Sequence, residues 1–134
     1  MALVNVLGAL ALNSSVQDVK DAVSGVLSPS FAMETTAPLG IDATFTGSAN
    51  DSQNAAARVA VSFFADQASA ASGCKVQVSA NGTDGWVTVA AGSLTANTPL
   101  QLVAFLTARY WRVVMVNGGV AQTVLSITSG QFKA

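Results

Sequence analysis

Histidine is absent from this chain, and that absence removes a wide range of chemistry. Without an imidazole there is no Ser/His or Cys/His nucleophile and no use of the commonest metal ligand. Cysteine occurs once, at Cys74, so no internal disulfide can form and no neighbouring base is at hand to activate the thiol. Charge is scarce as well. Charged residues make up 10% of the chain, where roughly 25% is usual. The six Lys+Arg and seven Asp+Glu leave a net charge of -1 with no basic block. A sequence-independent hold on phosphates needs clustered cations, so nucleic acid is not an expected partner. Long hydrophobic runs are missing too. The opening MALVNVLGALALNSS falls short of the ~20 apolar residues of a membrane span and has no positively charged start, so neither secretion nor a membrane partner is expected.

What is present is apolar, with 51% hydrophobic residues and a mean hydropathy of +0.48. A chain of 134 residues fits one domain able to bury a core without staples. So little surface charge favours association, and the chain reads as one that is covered by neighbours, a homo-oligomer. The plainer alternative is a monomeric sandwich with a thin polar coat.

Two regions divide the chain. Residues 1–37 form an N-terminal arm and short helix. Leu3, Val4, Leu7 and Leu10 give the arm an apolar character that must be buried against something, either as a first strand or on a neighbouring subunit. In NSSVQDVKDAVSGVL, Ser14 or Ser15 can cap a helix whose Val16, Val19 and Val23 recur near helical period, and Gly25 and Pro29 end it. SPSFAMETTAP reads as an irregular connector. From residue 38 to 134 the hydrophobic period becomes two. Strands are expected around Leu39–Phe45 and Val59–Phe63, and at CKVQVSA, GWVTVAA, TPLQLVAFL, RYWRVVMV and QTVLSIT, separated by turns such as NGTDG and NGG. The expected fold is therefore mainly β, an antiparallel β-sandwich or jelly-roll-like domain. Asn117-Gly118 has the chemistry of a tight hairpin turn, which would pair Arg109–Val116 with Gln122–Thr128.

No catalytic set emerges. The acids Asp18, Asp21, Glu34, Asp42, Asp51, Asp66 and Asp84 are scattered. A paired-carboxylate hydrolase leaves no sequence signature, and no pair here stands out for the role. SANGTDGW lacks the repeated oxygen spacing of a calcium loop and is explained by turn formation. No enzymatic activity, cofactor or metal is expected. The richest cluster is Arg109, Tyr110, Trp111 and Arg112. Alternation puts Arg109, Trp111, Val113 and Met115 on one face of their strand and Tyr110, Arg112, Val114 and Val116 on the other. Three readings of the cluster stay open: Trp86 and Trp111 as core anchors edged by arginine stems, a protein interface, or a sugar-stacking site.

FFADQASAASGCKVQVSANGTDGWVTVAAG followed by ARYWRVVMVNGGVAQTVLSI resembles a recurring β-sandwich module of tailed-bacteriophage virion proteins. The resemblance spans residues 63–132, and its matching positions are Asp66, Gln67, Trp86, Arg109, Tyr110, Arg112, Asn117, Gly118 and Gln122. Cys74 and the SAAS insertion after Gln67 depart from the pattern. The resemblance implies a non-enzymatic virion protein, assembled in the host cytoplasm. Its first form is a capsid decoration or cement protein binding the major capsid protein; a neck, tail or fibre-base component is the alternative. From a different class comes a carbohydrate-binding module stacking host glycans on Trp111 and Tyr110. As a partner interface the sequence offers Leu3, Val4, Leu7, Leu10, Val16, Val19 and Val23 together with Arg109, Tyr110, Trp111 and Arg112.

Overall fold

The computed structural model describes residues 31–53 and 56–133. The arm and helix expected within residues 1–30, including Leu3, Val4, Leu7, Leu10, Val16, Val19 and Val23, lie outside the described residues. The strands are β1 (Ala32–Thr35), β2 (Thr44–Thr46), β3 (Asn50–Asp51), β4 (Arg58–Ala65), β5 (Ser69–Ser79), β6 (Val87–Gly92), β7 (Leu100–Phe105), β8 (Tyr110–Asn117) and β9 (Leu125–Phe132). They form two antiparallel sheets. The first has the order β1-β9-β4-β7 and the second β2-β8-β5-β6, with β3 pairing further along the same strand β8. Taking β2 and β3 as one interrupted edge, successive strands change sheet at every step except β5 to β6, which is the jelly-roll order.

Alternating side chains explain why these segments close on one another. RVAVSFFA in β4 buries every second residue, so Val59, Val61, Phe63 and Ala65 face inward. Cys74, Val76 and Val78 of β5 do the same from the second sheet, and Trp111, Val113 and Met115 of β8 join them. Leu125, Ile127, Leu94 and Ala104 complete the cluster. Burial of this kind contributes about 1.5–3 kcal/mol per large apolar side chain before entropy is charged against it.

The strand expected around Leu39–Phe45 is confined to Thr44–Thr46, and three further expectations need correction. AMET, read as part of a connector, forms β1 on the edge of the first sheet, with its register shifted between Met33 and Thr35. Too short and too polar to show a period, it is held by its ladder to β9. The CKVQVSA strand begins earlier, at Ser69, and the inserted residues are accommodated as an irregularity between Ser69 and Cys74. Third, β8 and β9 are not a hairpin. β8 lies between β5 and β2 in the second sheet, whereas β9 lies between β1 and β4 in the first.

The physical reason for the third lies in Asn117 and Gly118. Neither has a positive φ. Asn117 is wholly buried, and its Nδ2 donates to the carbonyls of Leu39 (3.2 Å), Gly40 (2.8 Å) and Val120 (2.9 Å). Two amide hydrogens thus serve three acceptors, which fixes the orientation of the carboxamide. At Gly118 a Cβ would lie 2.7 Å from the Ala68 carbonyl oxygen, so close backbone approach requires glycine there. Gln122 completes the clasp, as its Oε1 accepts from Leu39 N (3.0 Å) and its own N–H donates to Leu39 O (2.9 Å). Asn117→Asp keeps the shape but sets an acceptor against three carbonyls. It is expected to lower the unfolding free energy by about 2–4 kcal/mol in urea titration at neutral pH, and a change under about 0.5 kcal/mol would contradict the clasp.

Candidate functional site

The outer face of the second sheet is where the described polar and aromatic side chains converge. Along β8, Tyr110, Arg112 and Val116 lie half-buried on the outer side, and Val114, which alternation places on that side too, is buried. Trp111 points the other way. It is 3% exposed, and its Nε1 donates to Gln131 Oε1 at 2.8 Å. Trp111 is therefore a core anchor and is removed from both the interface and the sugar-stacking roles. Arg109 also departs from the alternation: it precedes β8, is exposed, and forms a two-bond pair with Asp51, Nε to Oδ1 at 2.7 Å and Nη2 to Oδ2 at 2.9 Å. The Arg109 guanidinium carbon lies 5.4 Å from the centre of the Tyr110 ring. Asp51 is poised for this, since its Oδ1 also accepts from Gln53 N (2.7 Å). The hydrogen bond from Arg109, reinforced by that backbone N–H, holds the Asp51 carboxyl below its ordinary range.

Arg112 organises the centre of the face. Its guanidinium carbon stands 4.2 Å over the centre of the Trp86 ring, within cation–π range. Its Nε donates to Gln77 Oε1 at 2.9 Å, and Gln77 Nε2 donates to Thr88 Oγ1 at 3.3 Å. Register places these residues side by side: Arg112 opposite Gln77, and Gln77 opposite Thr88. Half-buried Trp86 is carried there by the turn after β5. In that turn Asn81 Oδ1 accepts from Thr83 N (2.9 Å) and Asp84 N (3.0 Å), and Asn81 Nδ2 donates to Asp84 Oδ1 (2.7 Å). Gly82 has φ +74°, and a Cβ there would lie 2.9 Å from the Tyr110 ring. The NGTDG turn thus packs against Tyr110 and positions Trp86.

Of the residues singled out by sequence, Tyr110, Arg112 and Trp86 share this face, Arg109 lies at its end, and Trp111 does not belong to it. Gln77 and Thr88 went unnoticed. Their signal was the polar residue between valines in VQV and VTV, which alternation sends outward.

Asp66, Asn117, Gly118 and Gln122 of the phage-like pattern hold the opposite end of the sandwich. Asp66 accepts from Thr123 Oγ1 (2.6 Å), Thr123 N (3.0 Å) and Val124 N (3.0 Å), fastening the β4 end to the loop before β9. These bonds, the Thr123 hydroxyl first, pull the Asp66 carboxyl down to about 2. Cys74 is buried in the core, and desolvation raises its thiol to about 11, so it stays protonated and inert near neutral pH. Among the described residues no group of His, Cys, Asp and Glu is arranged to hold a metal. The face thus combines hydrogen-bonding and aromatic side chains, with Arg112 at its centre.

The architecture defines a jelly-roll domain. A family model described as "Uncharacterised protein YqxG N-terminal domain" matches residues 21–132, and the chain belongs to that family. Among solved structures, the chain is similar to the PBSX exported protein XepA, with a TM-score of 0.73 and 22% identity. That match covers 81% of this chain and 39% of XepA, so the chain spans about two fifths of that protein. It is also similar to PirA, at a TM-score of 0.50 and 10% identity, covering 72% of this chain and 91% of that one. At these identities the likenesses speak for the fold. No curated protein matches the chain in sequence.

The depressed carboxyls of Asp66 and Asp51 set the sign of an acid response. Each is held lower in the folded than in the unfolded chain, where about 3.9 is usual. Both contributions are therefore present above the unfolded value and are lost as pH falls below it, that of Asp66 as pH approaches about 2. Asp66→Asn is expected to lower Tm at pH 7 and to flatten the decline of Tm between about pH 4 and pH 2. A decline as steep as in the parent protein would contradict this assignment.

Proposed function

We propose that this protein is a non-enzymatic structural component of a bacteriophage particle, in the first instance a capsid decoration or cement protein that oligomerises and binds the major capsid protein lattice. The observation that carries the reading is the outer face of the first sheet. Register puts Met33, Thr128, Ser62 and Gln101 in one row across it, and Ala60, Gly130 and Val103 in the next. Arg58, Phe105 and Phe132 form a third row, with the Arg58 guanidinium carbon 4.6 Å from the centre of the Phe132 ring. Met33 is 56% exposed, Val103 59% and Phe105 71%. Small residues form a floor and large apolar ones stand over it, an arrangement suited to lying flat on another protein surface.

The setting is supported by the fold shared with a PBSX exported protein and by the likeness of residues 63–132 to virion sandwich modules. The scarcity of charge and the apolar segment 1–27 agree with it. In this reading that segment docks on a neighbouring subunit. If arm and face together bury about 500 Å² of apolar surface, the gross gain is on the order of 12 kcal/mol before ordering costs. Repetition around a closed oligomer makes that ample for assembly. The same surfaces would serve a neck, tail or fibre-base component present in fewer copies.

Two variants separate assembly from folding. Deleting residues 1–27, or replacing Val103 and Phe105 together by aspartate, is expected to abolish particle binding or oligomerisation in sedimentation assays while far-UV circular dichroism stays β-rich. Normal decoration of particles by both variants would overturn the mechanism.

A further inference from the structure

We propose that the outer face of the second sheet binds an anionic polysaccharide, with the Trp86–Arg112 stack at its centre. The inference does not depend on the particle role, because it rests on the opposite broad face of the sandwich.

Charge is what sets this face apart. In a chain of net charge -1, Arg112 and Lys75 both lie on it. Lys75 pairs in register with Val114, the next outward residue of β8 after Arg112, which makes the two cations diagonal neighbours. Among the described residues neither has a salt-bridge partner, the Arg109–Asp51 pair being the one found there. Of the nearby carboxylates, Asp51 is neutralised by Arg109, while Asp84 accepts from the neutral Asn81 and keeps its charge, so the two cations outnumber the unpaired acid two to one. The field that remains attracts an anion.

The Arg112 side chain is also held in place. Trp86 supports the plane of its guanidinium, and Gln77 takes Nε and is steadied in turn by Thr88. With Nε engaged, the Nη1 and Nη2 edge has no hydrogen-bond partner among the described residues, and two parallel N–H donors fit a carboxylate or phosphate oxygen pair. A side chain ordered before binding loses less entropy on binding.

The surrounding groups select for sugar. Gln77, Thr88 and the Tyr110 hydroxyl offer donors and acceptors to ligand hydroxyls, and half-buried Trp86 offers an apolar surface to a pyranose ring. Two cations are too few for a nucleic-acid backbone, whose binding needs many phosphate contacts.

The test is affinity electrophoresis of the full chain in gels containing polygalacturonate, alginate or hyaluronate, with dextran as the neutral control and polyphosphate as the non-sugar anion. Retardation by at least one acidic polysaccharide and none by dextran is expected. Arg112→Gln and Trp86→Ala should each weaken it about tenfold, and Lys75→Gln less, with Tm recorded for every variant. Arg112→Lys keeps the charge and loses the fork, so it should restore only part of the binding. Four results would overturn the proposal: no retardation by any acidic polysaccharide, equal retardation by polyphosphate, binding unchanged in folded Arg112→Gln, or binding to phosphatidylserine vesicles in place of the polysaccharides.

Discussion

The buried carboxamide of Asn117 holds the sandwich together where the chain changes sheet. It closes β8, gathers the carbonyls of Leu39, Gly40 and Val120, and thereby ties the loop before β2 to the loop before β9. The same end is fastened again by Gln122 on Leu39 and by Asp66 on Thr123 and Val124. A jelly roll spends most of its connections crossing between sheets, and each crossing leaves backbone groups without a ladder partner. Polar side chains fixed at those crossings supply the partners and let the apolar interior close. The phage-like positions Asp66, Asn117, Gly118 and Gln122 are thus explained by architecture.

Beyond that clasped end lie two broad faces, and they differ in chemistry. The first sheet presents Met33, Val103 and Phe105 over small residues. The second presents Arg112, Gln77 and Thr88 in a hydrogen-bonded row, with the Arg112 guanidinium over the Trp86 ring. One face gains by leaving water and the other by meeting polar ligands. A component that lies on a lattice by one face and projects the other outward would use both.

Much of the core could be read from alternation alone. Val59, Val61 and Phe63, and Val76 and Val78, announce inward faces because successive strand residues point to opposite sides. Pairing was less legible. Asn-Gly serves a hairpin turn and a buried crossing equally well, and only the contacts of Asn117 with residues near position 40 decide between them. β1 and β3 are too short to show a period. The polar face of the second sheet was partly visible, since alternation sent Arg112 and Tyr110 to one side. Its centre was not, because the meeting of Trp86 with Arg112 depends on β5 lying between β6 and β8. Trp111 was ambiguous for a related reason: its core position follows from which face of β8 the first sheet covers.

A structural role in a particle makes a direct quantitative demand on composition. The decisive measurement is the copy number of this protein per washed, purified phage particle, by quantitative mass spectrometry against the major capsid protein. The account predicts that the protein is present in fixed stoichiometry, on the order of hundreds of copies if it decorates the symmetric lattice. Absence from washed particles, with the protein found only in the surrounding medium, would contradict it.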